Sequence, residues 1–457
     1  MFRDFLRAGF GGVASQAINF AALPIISRLY TPAAYAEWAI VITTATIVGL
    51  VGCFRFELAI VIPKDSDEAS SVFWGCIFLA LGIGLLLAVG LLLFPLRAIL
   101  GQAIPDSRVH AYVAAITLLS VSLAGFAALT YWNIRQQRYT LNSITAILVA
   151  VMTLAAQITW GMFLPRTAMG LVIGTLIGQG VGTLVLFLAL VRGQNLPRLN
   201  RQIFDQIYPS LKRQGKFLKY STPYTLFGIL RDRAALFVLQ IFSTTTQVGL
   251  YALAYRIMNF PVSIVSNSLR PVVFQAGAVR GVKEIESQIN SIFKWLVVLS
   301  TPFVVIYFSF ADKLFLLFFG PNWAEAGHIG KYIILPIFTF MFVNWMDRIM
   351  DLLGQQRLTL VLEVCFSLAS ITALCAGFLS GLGLRGSLTL QAIVLVLYNL
   401  TYLSLAYLRA GYDRVKLLRL AALGLAIASA SFVVITLART VIMWASPVEL
   451  FLFPGRN

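Results

Sequence analysis

Charged side chains inside otherwise apolar segments are the residues of this sequence best suited to chemistry. Arg55 and Glu57 interrupt an apolar stretch that runs from about residue 33 to residue 63. A charge near the centre of a bilayer costs about 2.5–3.5 kcal/mol. On one continuous helix, residues i and i+2 point about 200° apart. We therefore expect that Arg55 and Glu57 do not neutralise each other, and that each has a separate partner or water.

The longest row of polar side chains lies within residues 250–275. At 100° per residue, five side chains fall in an arc of about 80° that extends over roughly 21 Å of helix. They are Arg256, Asn259, Ser263, Asn267 and Arg270. A row of this length would be costly against lipid, so we expect it to face a hydrated cavity.

The preceding apolar segment contains Arg231, Asp232 and Arg233 in succession. Asp232 points about 100° away from both neighbours, which predicts that it pairs with an arginine on another helix. Together with Arg55, these groups make the interior cationic, and a cationic cavity recognises an anion. Arginine suits phosphate because its planar fork matches two oxygens at once. Purely internal pairing of these arginines is the alternative.

A second charged cluster lies further along the chain. Asn344, Asp347, Arg348 and Asp351 share one helical face at i, i+3, i+4 and i+7 spacing, and Glu363 follows in the next apolar segment. This pattern predicts either a structural cluster of salt bridges or a functional site.

The composition is typical of a membrane protein. The chain is 59% hydrophobic and 12% charged, against about 25% charged in soluble domains. Apolar runs of about 20 residues recur along it, which predicts an all-α, polytopic membrane protein. A net charge of +17 would suggest nucleic acid in a soluble protein. Here most Lys and Arg outside the apolar runs fall in alternate loops, so the positive-inside rule accounts for them, with the N-terminus cytoplasmic and no nucleic-acid partner.

Twelve membrane spans are predicted, followed by a further apolar stretch at residues 417–438 that either spans the membrane or lies on its surface. The twelve lie at about 8–29, 37–62, 72–95, 110–132, 142–164, 168–191, 220–241, 248–274, 290–311, 328–352, 358–381 and 388–408. The polar segment between the sixth and seventh spans carries seven basic residues and is interpreted as a cytoplasmic linker facing anionic lipid. The predicted organisation is an N-lobe at 1–191, this linker at 192–219, a C-lobe at 220–410, and a C-terminal extra helix and tail at 411–457.

A weak internal repeat supports two lobes. Residues 29–39 align with residues 242–252, and in each segment a turn of small residues leads to an aromatic ring, Trp38 or Tyr251. Six spans per lobe is an even number, so both copies enter the membrane from the same side. The two lobes would be related by an axis along the membrane normal.

Enzyme chemistry finds no support in the sequence. The cysteines lie in apolar stretches and are interpreted as small hydrophobic residues. His110 and His328 stand alone at predicted ends of helices. We recognise no nucleotide-binding glycine loop, metal cluster or nucleophile–base set, and therefore expect neither an enzyme nor a cofactor.

Four motifs in combination resemble the polysaccharide-export branch of the multidrug/oligosaccharidyl-lipid/polysaccharide exporter superfamily, and most closely the Wzx-type O-antigen flippases. The motifs are FRFELAIVIPKD at 54–65, RLYTPAAYAEWA at 28–39, VGLYALAYRIMNFPVSIVSNSLRPVVF at 248–274 and FGPNWAEAG at 319–327. Arg55 and Glu57 match the Arg-aromatic-Glu pattern of the family, and Arg256 matches its basic position after the Gly-x-Tyr-Ala-x-Ala run. Arg231, Asp232 and Arg233 match no motif of the family.

The resemblance covers about residues 1–410 and implies two six-helix bundles in a V around a central cavity. It implies alternating-access transport of an undecaprenyl-diphosphate-linked oligosaccharide from the cytoplasmic to the periplasmic leaflet of the bacterial inner membrane, for O-antigen or other polysaccharide assembly. Transport in the superfamily is generally coupled to an H⁺ or Na⁺ gradient. Membrane lipids, a polysaccharide polymerase and a chain-length regulator are the further partners that it suggests.

We accordingly predict two sets of site residues. The diphosphate and the sugars are expected to contact Arg55, Arg231, Arg233, Arg256, Arg270, Asn259, Ser263 and Asn267. The candidates for binding a coupling ion are Glu57, Asp232, Asp347, Asp351 and Glu363. Two rival functions stay open, a multidrug exporter of the same superfamily, in which acids would dominate the cavity, and an O-antigen polymerase or ligase, which would need a sizeable external loop with catalytic groups.

Overall fold

The computed structural model describes residues 2–93, 109–193 and 195–445, and the side chains of residues 11–90, 109–193 and 195–436. All the regular structure in these ranges is helical, and eleven of the helices are long and apolar enough to cross a membrane. The predicted all-α, polytopic membrane fold is confirmed. Residues 446–457 of the predicted C-terminal tail lie outside the described residues.

The first half of the chain forms one bundle. Its helices are α1 Phe2–Ala21, α2 Leu23–Leu29, α3 Pro32–Gly52, α4 Ser66–Leu93, α5 Val109–Arg135, α6 Tyr139–Phe163 and α7 Ala168–Arg192. Helix α6 packs on α1 and α7, and α5 packs on α3, α4 and α7. A Cβ added at Gly174 or Gly178 of α7 would meet Gln157 or Thr153 of α6. Small residues therefore allow the close approach of these two helices.

The second half of the chain forms another bundle, preceded by a linker helix. The helices are α8 Arg201–Arg213, α9 Thr222–Phe242, α10 Thr245–Arg280, α11 Glu286–Phe319, α12 Ala324–Val343, α13 Asp347–Leu352, α14 Gln356–Leu379, α15 Gly383–Ala410 and α16 Arg414–Ala445. Helix α12 packs on α10, α11 and α15, and α14 packs on α9 and α15. The linker helix α8 packs on α4 of the first bundle, and α16 packs on the outside of the second bundle against α11. The domain boundaries given above stay a prediction.

Three of the predicted spans are not single α-helices in the structure. The second, predicted at 37–62, ends as an α-helix at Gly52, and the chain continues as a 3₁₀ segment at Phe56–Val61. The first, predicted at 8–29, is divided into α1 and α2. The tenth, predicted at 328–352, is interrupted between α12 and α13. Helix α9 is not among the eleven apolar helices, since three consecutive charged residues lie in it; it is nevertheless a helix of 21 residues within the second bundle.

The two bundles meet where α3 and α10 begin, at the two segments of the internal repeat. Thr31 accepts a hydrogen bond from the backbone of Ala34, and Thr244 forms a capping box with Gln247, so each repeat segment begins with a threonine N-cap. Helices α3 and α10 then pack against each other. Gly249 lies directly against Pro32, where an added Cβ would overlap the Pro32 carbonyl group. We call this end of the molecule the closed end.

Further contacts at the closed end join the two bundles. The Trp323 indole donates to the Ser27 carbonyl oxygen at 2.7 Å, and the rings of Phe20 and Phe260 are stacked with centroids 4.1 Å apart. The opposite end, where α3 and α10 finish, is called the open end, and there Asn267 is exposed on α10. The predicted V of two helical bundles is confirmed, and the closed end is its apex.

The glycine at the apex gives the first test of this architecture. Alanine favours a helix over glycine by about 0.5–1 kcal/mol, yet Gly249→Ala places a methyl group on the Pro32 backbone. We expect the variant to separate α3 from α10. Electron–electron double resonance between spin labels on the two helices would then measure a longer distance. Gly180→Ala in α7 is the control, because an added Cβ there meets nothing within 4 Å. An unchanged distance in Gly249→Ala would contradict the tight contact.

Candidate substrate site between the bundles

Arg256 lies at the contact between the two bundles. It is carried by α10, and both of its polar and aromatic neighbours belong to α3 of the other bundle. Its Nη1 donates to the Tyr35 hydroxyl at 3.1 Å, and its guanidinium carbon lies 5.3 Å from the centre of the Trp38 ring. A guanidinium group over an indole face is stabilised by the negative face of the ring. Arg256 is thus held in place by neutral groups.

Arg233 on α9 is held in a similar way. Its guanidinium carbon lies 5.5 Å from the centre of the Tyr255 ring, and Tyr255 immediately precedes Arg256 on α10. The Arg233 side chain is exposed. A cation–π contact uses the face of the guanidinium group and leaves N–H donors at its edge.

Arg256 and Arg233 differ from the other charged residues of the site in their ionic contacts. Among the described residues, neither has a carboxylate within ion-pair distance, whereas Arg55, Arg231, Arg270 and Arg348 each have one. A guanidinium group already bound to a carboxylate has fewer donors for an anion. Of these six arginines, Arg256 and Arg233 therefore keep the most N–H donors that an anion could use.

Arg231 is the centre of a buried ionic cluster. Its Nη1 lies 2.7–2.8 Å from both carboxylate oxygens of Glu363 and donates to the Tyr398 hydroxyl at 3.2 Å, while its Nε lies 3.0 Å from Asp232. Tyr398 in turn donates to Glu363 at 2.6 Å. The expectation that Asp232 pairs with an arginine of another helix is wrong, because the Arg231 side chain is long enough to turn back to its neighbour. Arg231 is only 9% exposed and Glu363 only 2%, so this cluster is structural in the observed state.

Arg270 binds to the break between α12 and α13. Its Nε donates to the Asn344 carbonyl oxygen at 2.9 Å, and its Nη2 lies 3.0 Å from both the Asn344 side-chain oxygen and Asp347. Because α12 ends at Val343, the predicted single face of residues 344–351 does not form as one helix. The break frees the Asn344 carbonyl group for Arg270. Arg348 pairs with Asp351 at 3.0 Å, and Arg270 is still 33% exposed.

Arg55 and Glu57 form an ion pair of 2.8 Å, so the expectation that they do not neutralise each other is wrong. That expectation assumed a continuous helix. Phe54 and Arg55 instead have φ values of 49° and 59°, in the left-handed region, which ends α3 and turns Arg55 towards Glu57. Arg135, from the last turn of α5, donates to the carbonyl oxygens of Ile60 and Pro63 and so supports the irregular segment.

The three remaining polar residues of the predicted row have different surroundings. Ser263 donates to the side chain of Gln16 on α1, Asn259 lines a cavity inside the second bundle, and Asn267 is exposed at the open end. The row as a whole does not face one common cavity. Its closed-end part faces the first bundle, whereas Arg270 is bound within the second.

Several residues that shape the site had no recognisable signal in the sequence. Tyr35, Tyr398 and Arg135 are ordinary residues of apolar helices or helix ends, and Trp38 was noted only as part of the repeat. Tyr35 and Arg256 are separated by 221 positions, and no spacing rule connects residues so far apart.

Comparison with known proteins identifies the family. The family model described as "Polysaccharide biosynthesis protein" matches residues 25–328. The chain belongs to this family. Succinoglycan biosynthesis transport protein ExoT of Rhizobium meliloti (strain 1021) is 25% identical over 350 residues, which are 71% of this chain. The match spans 65% of ExoT, less than two thirds of its length.

The solved structures that this chain resembles are transporters. The lipid II flippase MurJ in an inward closed conformation superposes with a TM-score of 0.66 at 12% identity, over 94% of this chain and 99% of that one. A mutant of the Vibrio cholerae MATE transporter VcmN gives a TM-score of 0.60 at 19% identity, over 90% and 95% of the two chains. The resemblance to the polysaccharide branch of the exporter superfamily is confirmed. The family is that of the polysaccharide biosynthesis proteins, and the fold is that of these transporter structures.

The difference between paired and unpaired arginines predicts a difference in stability. Glu363→Ala leaves Arg231 buried without its main partner, and such a loss typically costs about 3–5 kcal/mol. Arg256→Ala removes a cation that has no carboxylate partner, so we expect it to cost clearly less. Unfolding of the purified variants in detergent, followed by near-ultraviolet circular dichroism, measures both changes. Equal destabilisation by the two substitutions would contradict this distinction.

Proposed function

We propose that this protein is a flippase for undecaprenyl-diphosphate-linked oligosaccharide repeat units. It would move them from the cytoplasmic to the periplasmic leaflet of the bacterial inner membrane for the assembly of O-antigen or a related polysaccharide. Family membership and the transporter fold support this proposal. The observation that carries it is the arginine at the apex of the V, which has aromatic neighbours and no carboxylate partner among the described residues.

A diphosphate is the ligand that this pair of arginines suits. It offers oxygens of two linked phosphates, and a guanidinium edge binds two such oxygens through parallel hydrogen bonds. Arg233 contacts the Tyr255 ring, and Tyr255 immediately precedes Arg256 on α10, so the proposal assigns both arginines to one head group. The polyprenyl chain would stay in the lipid while the sugars enter the cleft. The names of two similar proteins support a polysaccharide precursor as the cargo: ExoT is a succinoglycan biosynthesis transport protein, and MurJ is a lipid II flippase.

The orientation of the chain in the membrane determines which step of alternating access the observed state would represent. With a cytoplasmic N-terminus, as the loop charges favour, the closed end is periplasmic and the open end cytoplasmic. The observed state would then admit a head group from the cytoplasmic leaflet. At the open end the Arg55–Glu57 pair belongs to the first bundle, and the Arg348–Asp351 pair belongs to the second. Opposite charges would face each other when that end closes, which favours closure after loading.

The rival functions have less support. A multidrug exporter for cations would bring carboxylates without partners to the cleft, whereas here Glu57, Asp347, Asp351 and Glu363 are all bound by arginine. A polymerase or ligase would need catalytic groups on an external loop. A susceptibility screen with cationic drugs separates the first rival from the proposed flippase.

The central test of the flippase proposal is the substitution Arg256→Ala. In cells whose own gene is deleted, the variant should fail to restore polysaccharide export, and lipid-linked repeat units should accumulate on the cytoplasmic face. Arg256→Lys should restore export only in part, since an ammonium group cannot bind two oxygens with parallel hydrogen bonds. Extracted lipids are compared by mass spectrometry, at matched protein levels in the membrane.

A matched control is available on the same helix. Arg280 is exposed in the last turn of α10, at the other end from Arg256, and Arg280→Ala should restore normal export. Full export by Arg256→Ala would refute the role given to this residue. Accumulation of single repeat units already transferred to the periplasmic side would favour a polymerase instead.

The buried cluster around Arg231 is the proposed coupling site for an H⁺ or Na⁺ gradient. Two carboxylates, Asp232 and Glu363, share one guanidinium group, so one negative charge is in excess when both are ionised. An excess charge in a low-dielectric interior favours uptake of a proton or a cation. Tyr398 reaches Glu363 at 2.6 Å and supplies one hydrogen bond whatever the state of that acid.

Amide substitutions test the coupling directly. Transport by Asp232→Asn and Glu363→Gln in vesicles should no longer respond when an imposed proton or sodium gradient is abolished with an ionophore. Glu284→Gln, at an exposed position outside the bundle, should keep the normal response. A normal response in both cluster variants would exclude this cluster as the coupling site.

A further inference from the structure

A cavity inside the second bundle lies one helical turn from Arg256. It encloses about 50 Å³, is partly open, and lies among α9, α10, α12 and α15. Asn259, which lines it, follows Arg256 by three residues on α10, which is a rise of about 4.5 Å and a rotation of about 60°. Tyr255, on the other side of Arg256, lines it as well. A group joined to a ligand of Arg256 would therefore reach this cavity.

The polar groups of the cavity are mostly neutral. Asn259, Gln391 and Asn399 contribute three carboxamides. A carboxamide has both donors and an acceptor, and so has the hydroxyl group of a sugar. The one carboxylate on the wall, Asp232, is bound by Arg231 at 3.0 Å while its side chain is 36% exposed. Such a lining suits hydroxyl groups better than a free ion of either sign.

Asn399 has a hydrogen-bonding group that the protein leaves without a partner. Its Nδ2 donates to the Pro336 carbonyl oxygen at 3.0 Å and to Thr339 at 2.8 Å, which fixes the orientation of the amide. Its Oδ1 is buried and has no hydrogen-bond partner among the described residues, and the residue is only 3% exposed. A buried acceptor without a partner is costly unless a ligand or water supplies a donor. The acceptor lies on a residue that lines this cavity.

Aromatic rings complete the wall. Tyr251 and Tyr255 are stacked with ring centroids 6.1 Å apart, and both line the cavity. Pockets for small ligands typically combine apolar and aromatic walls with a few polar groups that fix orientation. Rings beside carboxamides provide such a wall for the apolar face of a pyranose and donors and acceptors for its hydroxyl edge.

We propose that this cavity is a subsite that receives, through its open side, the hydroxyl edge of the sugar that is joined directly to the diphosphate. The inference rests on the proposed function, because it takes the diphosphate to be bound by Arg256. It adds a role for residues outside the charged cluster, chiefly Gln391 and Asn399, and it makes the second bundle the part of the transporter that distinguishes a glycosylated carrier from a bare one.

The test compares two lipids on the purified protein in nanodiscs. One is bare undecaprenyl diphosphate, and the other is the saccharide-bearing lipid purified from cells that lack this protein. The wild type should bind the saccharide-bearing lipid about tenfold more tightly, as expected for two or three added hydrogen bonds in competition with water. Gln391→Leu and Asn259→Leu should abolish this difference and leave the affinity for the bare lipid unchanged. Gln202→Leu, the same change at an exposed position of α8, should behave as the wild type does.

The possible outcomes separate the inference from the proposed function. Equal binding of both lipids by the wild type would overturn the subsite and leave the flippase proposal intact. A parallel loss of affinity for both lipids in Gln391→Leu and Asn259→Leu would also overturn it, because the residues would then act on the fold. Sodium-dependent binding of either lipid that these two substitutions abolish would assign the cavity to a cation. Failure of the wild type to bind either lipid, or of the deleted cells to accumulate one, would count against the proposed function itself.

Discussion

An arginine with no carboxylate partner in the described part of the chain, at the contact between two membrane-embedded bundles, is the constraint on which this structure depends. Removing a cation from water costs several kcal/mol unless other groups replace the solvent. Around Arg256 the groups that replace water are one hydroxyl group and one indole ring, both from α3 of the opposite bundle. These groups stabilise the guanidinium group without neutralising it. The remaining attraction for negative charge is the basis of the anion-binding role proposed for the apex.

The other arginines of the interior show what the same residue does when it is neutralised. Arg231 lies against Glu363, Asp232 and a tyrosine, and Arg270 closes the break between α12 and α13 through Asn344 and Asp347. Apart from the Arg231–Asp232 contact, which lies within α9, these contacts join separate elements of the second bundle. The presence of an arginine in a membrane segment therefore does not by itself indicate a transport pathway. Its partners decide whether it stabilises the protein or binds a ligand.

Much of the fold could be predicted from the sequence, since composition and apolar runs determine an all-α membrane protein and the repeat indicates two lobes. The contacts of single charges could not be predicted where the helix is irregular. Helical geometry excluded the Arg55–Glu57 pair, but that geometry fails where Phe54 and Arg55 adopt left-handed backbone conformations. The residue types at positions 54 and 55 do not predict this break, because neither is glycine or asparagine, which favour the left-handed region. For Asp232 the prediction failed because the Arg231 side chain is long enough to turn back to its sequence neighbour. Helical angles do not describe this length.

The internal repeat brings equivalent helix starts from the two bundles to the apex, but the two bundles supply different side chains there. The same element, a threonine-capped helix start, comes from each half and forms the apex, so the backbone contact is nearly symmetrical. The side chains at the apex are not symmetrical, because α3 supplies the neutral groups Tyr35 and Trp38 while α10 supplies the cation Arg256. Any movement that separates α3 from α10 takes Arg256 away from both neutral groups and exposes it to water. Since water screens the attraction between a guanidinium group and an anion, the movement that opens the apex also weakens the hold on a bound anion. In the proposed transport cycle, release of the cargo and opening of the closed end are thus one physical event.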